Sequence, residues 1–266
     1  MNFFAEILSK VQAMIKKFSG FEGKFVFAQK LLKKFLQEVE FMFDKKIFEN
    51  YLTTYKQDFL PTWWNDEKYK WEMVKHFQDN WNIEAENFSE MLKESLAKTD
   101  NLLAANFNFP CTVLLNMFAK NEPETVRKMF CELFDEKIDV WERIDNFKSE
   151  SSNLLKKYGK SKEQHHQTEN AISIYLWLRY PEKYYIYKFG VVKKVSEVLK
   201  SNFIFKTGHY EDNIRDFYKF YDEICEELQK DKEIAAILKN NLTENCYLDT
   251  ELKTLTQDFG FYISKH

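Results

Sequence analysis

Six glycines and four prolines are all that 266 residues provide for tight reversals of direction. Sandwiches and barrels turn about every ten residues and draw on those two residue types to do so. A chain this poor in both is restricted to long elements with few reversals, which means helices. Glycine-loop dinucleotide folds are excluded as well, because no G-x-G-x-x-G run occurs. Hydrophobic residues make up 44% of the chain, and 26 phenylalanines are the main filler, so a substantial core can form. The expected class is all-α, with at most a short extended segment near the C-terminus.

Apolar spacing agrees. Phe3, Phe4, Ile7, Leu8, Val11, Met14, Ile15 and Phe18 recur at three-four intervals, which predicts an amphipathic helix over 2–18. "SGFEG" interrupts it. A second stripe (Phe25, Phe27, Leu31, Leu32, Phe35, Leu36, Val39, Phe43) runs within 24–58, with a break expected near Asp44. Pro61 opens "PTWWNDEKYKWEMVKHF", where Asn65 or Asp66 is the expected cap of a helix ending near Asn80. Further helices are expected over about 84–99, after Pro110, after Pro123, over 138–157, and near 168–180, 189–201, 211–230 and 231–240. The tail reads as a short helix followed by an extended "FGFYIS". The polar run "YGKSKEQHHQTEN" (158–170) is a loop and the expected boundary between an N-terminal lobe, 1–158, and a C-terminal lobe, 168–266.

The net charge of −3 lacks the basic footprint of a typical nucleic-acid binder, although a local one can exist. The four cysteines (Cys111, Cys131, Cys225, Cys246) have no CxxC spacing, which fits a reducing compartment, and a cytoplasmic location is expected. The N-terminus has charges within its apolar run and no small-residue cleavage site, so it does not read as a signal peptide. No apolar run approaches membrane-spanning length, and no membrane partner is expected.

Motifs for chemistry are missing. There is no G-x-S-x-G and no G-x-x-x-x-G-K-[ST]. His165 and His166 are adjacent in a polar loop without Cys or carboxylate partners at ligand spacing, so solvated histidines are expected rather than a metal site. His76 reads as a packed or surface residue. No catalytic residues, metal or cofactor are expected, and the chain reads as a non-enzyme.

The informative segment is "NAISIYLWLRYPEKYYIYKFGVVKKV" (170–195). Its helical part is apolar nearly all round, which means deep burial or a partner surface. Pro181 ends that helix and gathers Arg179, Tyr180, Lys183, Tyr184, Tyr185 and Lys188 around a turn, with Lys193 and Lys194 close behind. From Arg179 to Lys206, seven basic residues face two acidic ones; from Glu211 to Glu233, nine acidic face four basic. Either the two segments pack against each other, or the basic one meets nucleic acid, lysines on phosphates and tyrosines stacking, or it meets a protein. Trp63, Trp64, Trp71 and Trp81 leave a similar choice between core packing and an aromatic cage for a modified base.

"WWNDEKYKWEMVKHFQDNW", "FPCTVLLNMFAKNEPETVRKMFCELFDE", "NAISIYLWLRYPEKYYIYKFGVV", "FYDEICEEL" and "LDTELKTLTQDFGFYI" occur in that order over roughly 60–263. Together they resemble the N-terminal region of McrB-like subunits of McrBC-type, modification-dependent restriction systems. The resemblance implies a DNA-recognition or adaptor domain in anti-phage defence. Its partners would be DNA, possibly modified, an AAA+ GTPase motor domain and a nuclease subunit. The residues offered for nucleic-acid contact are Arg179, Tyr180, Lys183, Tyr184, Tyr185, Lys188, Lys193 and Lys194. The alternative is a protein-interaction or oligomer-scaffolding module without direct DNA binding, with the 2–18 helix docking a partner.

Overall fold

A computed structural model describes residues 42–103, 110–160 and 163–266. The helix expected over 2–18, the break after it and the 24–41 part of the second stripe lie outside the described residues. Among the described residues the chain is all-α, without strand or sheet.

Helix α1 (Lys45–Asp58) starts at the expected break: Asp44 caps it, its carboxylate accepting from the Lys46 and Ile47 N–H groups at 3.1 Å each. Pro61 does not start a new helix. It sits inside a π-helical turn, Phe59–Trp63, that runs on into α2 (Trp64–Glu67). Proline has no N–H for the helical ladder and its ring crowds the preceding turn, so the widened turn accommodates it. The expected cap at Asn65 or Asp66 is therefore not used, and α3 (Tyr69–Asn80) follows after one residue with no side-chain cap. Asn87 caps α4 (Phe88–Ser95). Then come α5 (Asp100–Leu103), α6 (Pro110–Val113) with a second π-helical turn over Leu114–Ala119, and α7 (Pro123–Leu133), whose proline occupies the first turn.

Helix α8 (Val140–Tyr158) buries Ile144, Phe147 and Leu154, while Val140 and Trp141 are half-buried. The later helices are α9 (Glu169–Arg179), α10 (Phe189–Val198), α11 (Tyr210–Lys230), α12 (Lys232–Asn241) and α13 (Lys253–Lys265). The expected extended "FGFYIS" is the body of α13. Its residues Thr254 to Gly260, Tyr262 and Ile263 are buried, so the helix runs through the core rather than over it. Tertiary burial on several sides overrides a pattern that lacks one polar face.

Buried side chains from Phe43 to Ile263 form one cluster that includes residues on both sides of 159–167. Helix α13 packs against α1, α10 and α11; α9 packs against α3 and α8. The approach of α11 to α13 depends on Gly260. A Cβ there would stand 2.5 Å from the Tyr221 hydroxyl oxygen and 2.9 Å from its ring carbon Cζ. That ring is fixed by Phe217, at 4.6 Å between centroids, and by Tyr185 at 5.4 Å. Among the described residues the buried Tyr221 hydroxyl has no hydrogen-bond partner, so it adds bulk without a bond.

In urea unfolding, Gly260→Ala is expected to destabilise the fold by about 1–3 kcal/mol through overpacking. Tyr221→Phe is expected to be neutral or stabilising and to recover part of that loss in the double variant. Equal losses with and without the Tyr221 hydroxyl would contradict the contact.

Candidate functional site

The Tyr/Lys elbow begins where α9 ends. Thr168 caps α9, and every residue from Ala171 to Leu178 is buried, so the all-round apolar character is met by core packing. At Tyr180 the chain leaves the helix (φ −131°, ψ 65°) and turns, with the Lys183 and Tyr184 N–H groups donating to the Tyr180 carbonyl. The segment after the turn is held by side chains. The Ile186 N–H donates to Gln257 Oε1 at 2.8 Å, the Tyr187 N–H donates to Ser173 Oγ at 2.9 Å, and Asn170 donates to the Tyr187 carbonyl at 2.9 Å. Helices α9 and α13 thereby satisfy backbone groups that a sheet would otherwise pair.

Each residue proposed from sequence has a defined place. Tyr185 is fully buried; its hydroxyl donates to Asp222 at 3.0 Å, and Lys253 lies 5.0 Å from its ring centre. Burial, then Cys225 and Asp222, holds its phenol far above the ordinary range. Tyr184 is half-buried: its hydroxyl accepts from Arg143 at 2.7 Å and faces Glu136. The Tyr180 hydroxyl donates to the Phe134 carbonyl at 3.1 Å, with the Arg179 guanidinium 4.9 Å from its ring centre. Lys183 pairs with Glu136 at 2.5 Å. These four elbow residues, Arg179, Tyr180, Lys183 and Tyr184, are brought together, and three of them are fastened to the α7–α8 connection. Lys188, Lys193 and Lys194 are exposed at the start and along the outer side of α10. Lys193 has Glu197 at 3.9 Å, while Lys188 and Lys194 have no carboxylate at ion-pair distance among the described residues. Of the eight, Lys188 and Lys194 are the exposed lysines without an ion pair among the described residues, and Lys193 has only the distant Glu197.

The four tryptophans do not converge. Trp63 lies against Tyr262 and His266, Trp64 and Trp71 contact each other, and Trp81 packs on Phe77, Phe88, Phe130 and Phe134. They serve packing. His165 is held below the ordinary imidazole range by burial and then by Lys148, and its Nδ1 accepts from the Gln167 N–H. No metal-binding group of His, Cys, Asp and Glu occurs among the described residues.

Two polar clusters that the sequence reading did not single out lie inside. Asp258 accepts from Tyr55 at 2.5 Å, from Trp63 Nε1 at 2.8 Å and from Lys70 at 2.5 Å, and Lys70 also pairs with Glu67 at 2.8 Å. Burial lowers the Lys70 ammonium's affinity for its proton, but Asp258 and Glu67 more than offset that and hold it above the ordinary lysine range. The ammonium is held charged between Asp258 and Glu67, with the Phe261 ring 4.7 Å away, which disfavours the free amine that a nucleophile or base requires. Asp249 accepts from Trp71 Nε1 and from the Thr254 and Leu255 N–H groups at the start of α13. This capping lets Leu252 adopt a left-handed backbone (φ 57°) just before the helix. Burial pushes Asp249 up to about 6 against those donors. The one cue in the sequence is polar Gln257 and Asp258 inside an otherwise apolar stretch.

Open grooves lie elsewhere. One of about 550 Å³ between α7 and α8 is lined by Lys128, Met129, Glu132, Asn146 and Glu150 among others. Another, of about 350 Å³, includes Ile204, Lys206, His209 and Arg215. Neither reaches the buried clusters, and neither gathers an acid, a base and a nucleophile. Comparison with known proteins returns no match among family models, curated proteins or solved structures. No helix among the described residues is long and apolar enough to cross a membrane.

A raised carboxyl favours the protonated folded state. The Asp249 contribution is therefore greatest below about pH 4 and declines as pH rises through about 6. Wild type is expected to lose about 2–3 kcal/mol relative to Asp249→Asn between pH 4 and pH 7 in denaturant unfolding. A pH-independent difference would contradict the burial of this carboxyl.

Proposed function

We propose that this chain is a non-catalytic adaptor domain of a McrB-like restriction subunit in anti-phage defence, working beside an AAA+ motor and a nuclease subunit. In this reading the Tyr/Lys elbow is a structural joint and does not read bases. The observation that carries it is the commitment of the tyrosines: Tyr185 is buried on Asp222, and Tyr180 and Tyr184 are bonded to Phe134 and Arg143. Tyr185 is fully buried and has no face left for a base to stack on, and the hydroxyl bonds of Tyr180 and Tyr184 hold their half-buried rings within the fold. The ordered likeness over 60–263 supports the placement among McrB-like subunits. The ion-paired, protonated state of the buried Lys70 supports the non-catalytic part.

A second reading, direct contact with the DNA backbone, rests on Lys188, which is exposed at the start of α10, and on Lys193 and Lys194, which are exposed along it. Three lysines give phosphate contacts without sequence or modification readout.

Titration of methylated and unmethylated duplexes with the purified chain separates these readings. The adaptor reading expects equal affinity for both duplexes, no tighter than about 1–100 μM at physiological salt. It also expects retention of the chain by the co-expressed AAA+ motor domain. Modification-dependent binding, or no retention by the motor, would overturn it. Binding that weakens equally for both duplexes in Lys193→Glu/Lys194→Glu would support the backbone-contact reading.

A further inference from the structure

A histidine closes the turn that leads into α9. The Gln167 N–H donates to His165 Nδ1 at 2.9 Å. A backbone N–H can only donate, so Nδ1 carries no proton and the neutral imidazole keeps its proton on Nε2. The Thr168 N–H donates to the His166 carbonyl at 2.9 Å, and His166 between them takes a left-handed backbone (φ 56°). Gln167 points inward and is fully buried. Its Nε2 donates to the Pro110 carbonyl at 2.7 Å, and its Oε1 accepts from the Tyr175 hydroxyl at 2.9 Å. Pro110 opens α6 and Tyr175 lies within α9, so this one side chain ties the two helices together. Thr168, next in the chain, caps α9.

The surroundings of His165 disfavour a second proton. Lys148 faces it from α8, and His166 stands beside it in the turn. Among the described residues the anion facing it is Glu169, at the start of α9, which is itself paired with Lys148. Beyond Gln167, Tyr175 and Cys111 are buried and held neutral, well above their ordinary ranges. Burial, then Lys148 and His166, therefore holds the half-buried imidazole below its ordinary range. Protonation would also set an N–H at Nδ1 against the Gln167 N–H, donor against donor, and the bond would be lost. A histidine that is preferentially neutral when folded contributes fully above the ordinary imidazole range. That contribution is lost as pH falls through the folded value.

We infer that His165 is an acid-sensitive latch: neutral, it closes the turn that seats Gln167 between α6 and α9, and protonated, it lets that turn open. The inference does not depend on the adaptor reading. Opening the turn frees the Thr168 cap and the Pro110 carbonyl together, because both are reached through the same four residues. The effect is local. Asp249 acts on the whole fold in the opposite sense, favouring it at low pH.

NMR on the full chain tests this. At about pH 8 the ring-nitrogen shifts of His165 are expected to place its proton on Nε2. Between about pH 8 and about pH 5 the Gln167 and Thr168 amides are expected to lose about fivefold in protection against hydrogen exchange, corrected for the intrinsic rate, as for one ordinary hydrogen bond. Amides of α11, which report on the whole body, are expected to keep theirs. In His165→Asn the side-chain oxygen can accept the same N–H two residues on and does not titrate, so protection is expected to stay level over that range. His166 still titrates in this variant, which separates the two histidines. A proton on Nδ1 in the neutral ring, or wild-type protection that does not move with pH, overturns the inference. A fall as large in His165→Asn, or one shared by α11, overturns it too.

Discussion

A single buried carboxylate, Asp258, fixes how this helical bundle closes. It sits mid-way along α13 and takes one bond from α1, through Tyr55, one from the π-helical turn, through Trp63, and one from α3, through Lys70. Removing two opposite charges from water costs several kcal/mol per ion, and geometry of this quality is what offsets it. The return is specificity: only one register of α13 aligns the three donors at once. Asp249 and Leu252 set the start of the same helix, and Gly260 sets its distance from α11.

The elbow depends on that placement. Gln257, one residue before Asp258, accepts the Ile186 N–H, so the turn that looks like a grasping surface in sequence is strung between α9 and α13. Its tyrosines then reach Asp222 on α11 and Arg143 on α8. The +5 and −5 segments do meet in part, for Tyr185 of the basic one bonds Asp222 of the acidic one. Much of the remaining charge on both is exposed.

Much of the fold was legible beforehand. Three-four spacing located α7 to α12 to within a few residues, the expected break near Asp44 is where α1 is capped, and Pro123 acted as the start signal it resembles. Legibility failed where a residue type has two uses. Tyrosine can stack on a base or bury its ring and bond through its hydroxyl, and only Asp222, Phe134 and Arg143, distant in sequence, decide which. The tail "FGFYIS" lacks a polar face because α13 is surrounded, so its helical period is hidden. Asn65 or Asp66 read as the cap of a helix after Pro61 because a π-helical turn leaves no mark in composition. Lys70, Asp258 and Asp249 gave almost no sign, since a charged residue in a helical stretch ordinarily lies on a solvated face.

Double-mutant unfolding of Lys70 and Asp258 tests the closure most directly. Lys70→Met and Asp258→Asn should each cost about 3–5 kcal/mol, because each takes a partner from a buried charge. Together they should cost little more than either alone, leaving a coupling of about 2–3 kcal/mol. Losses that simply add, or single losses under about 1 kcal/mol, would mean that α13 is held by packing alone and that Asp258 does not fix the bundle.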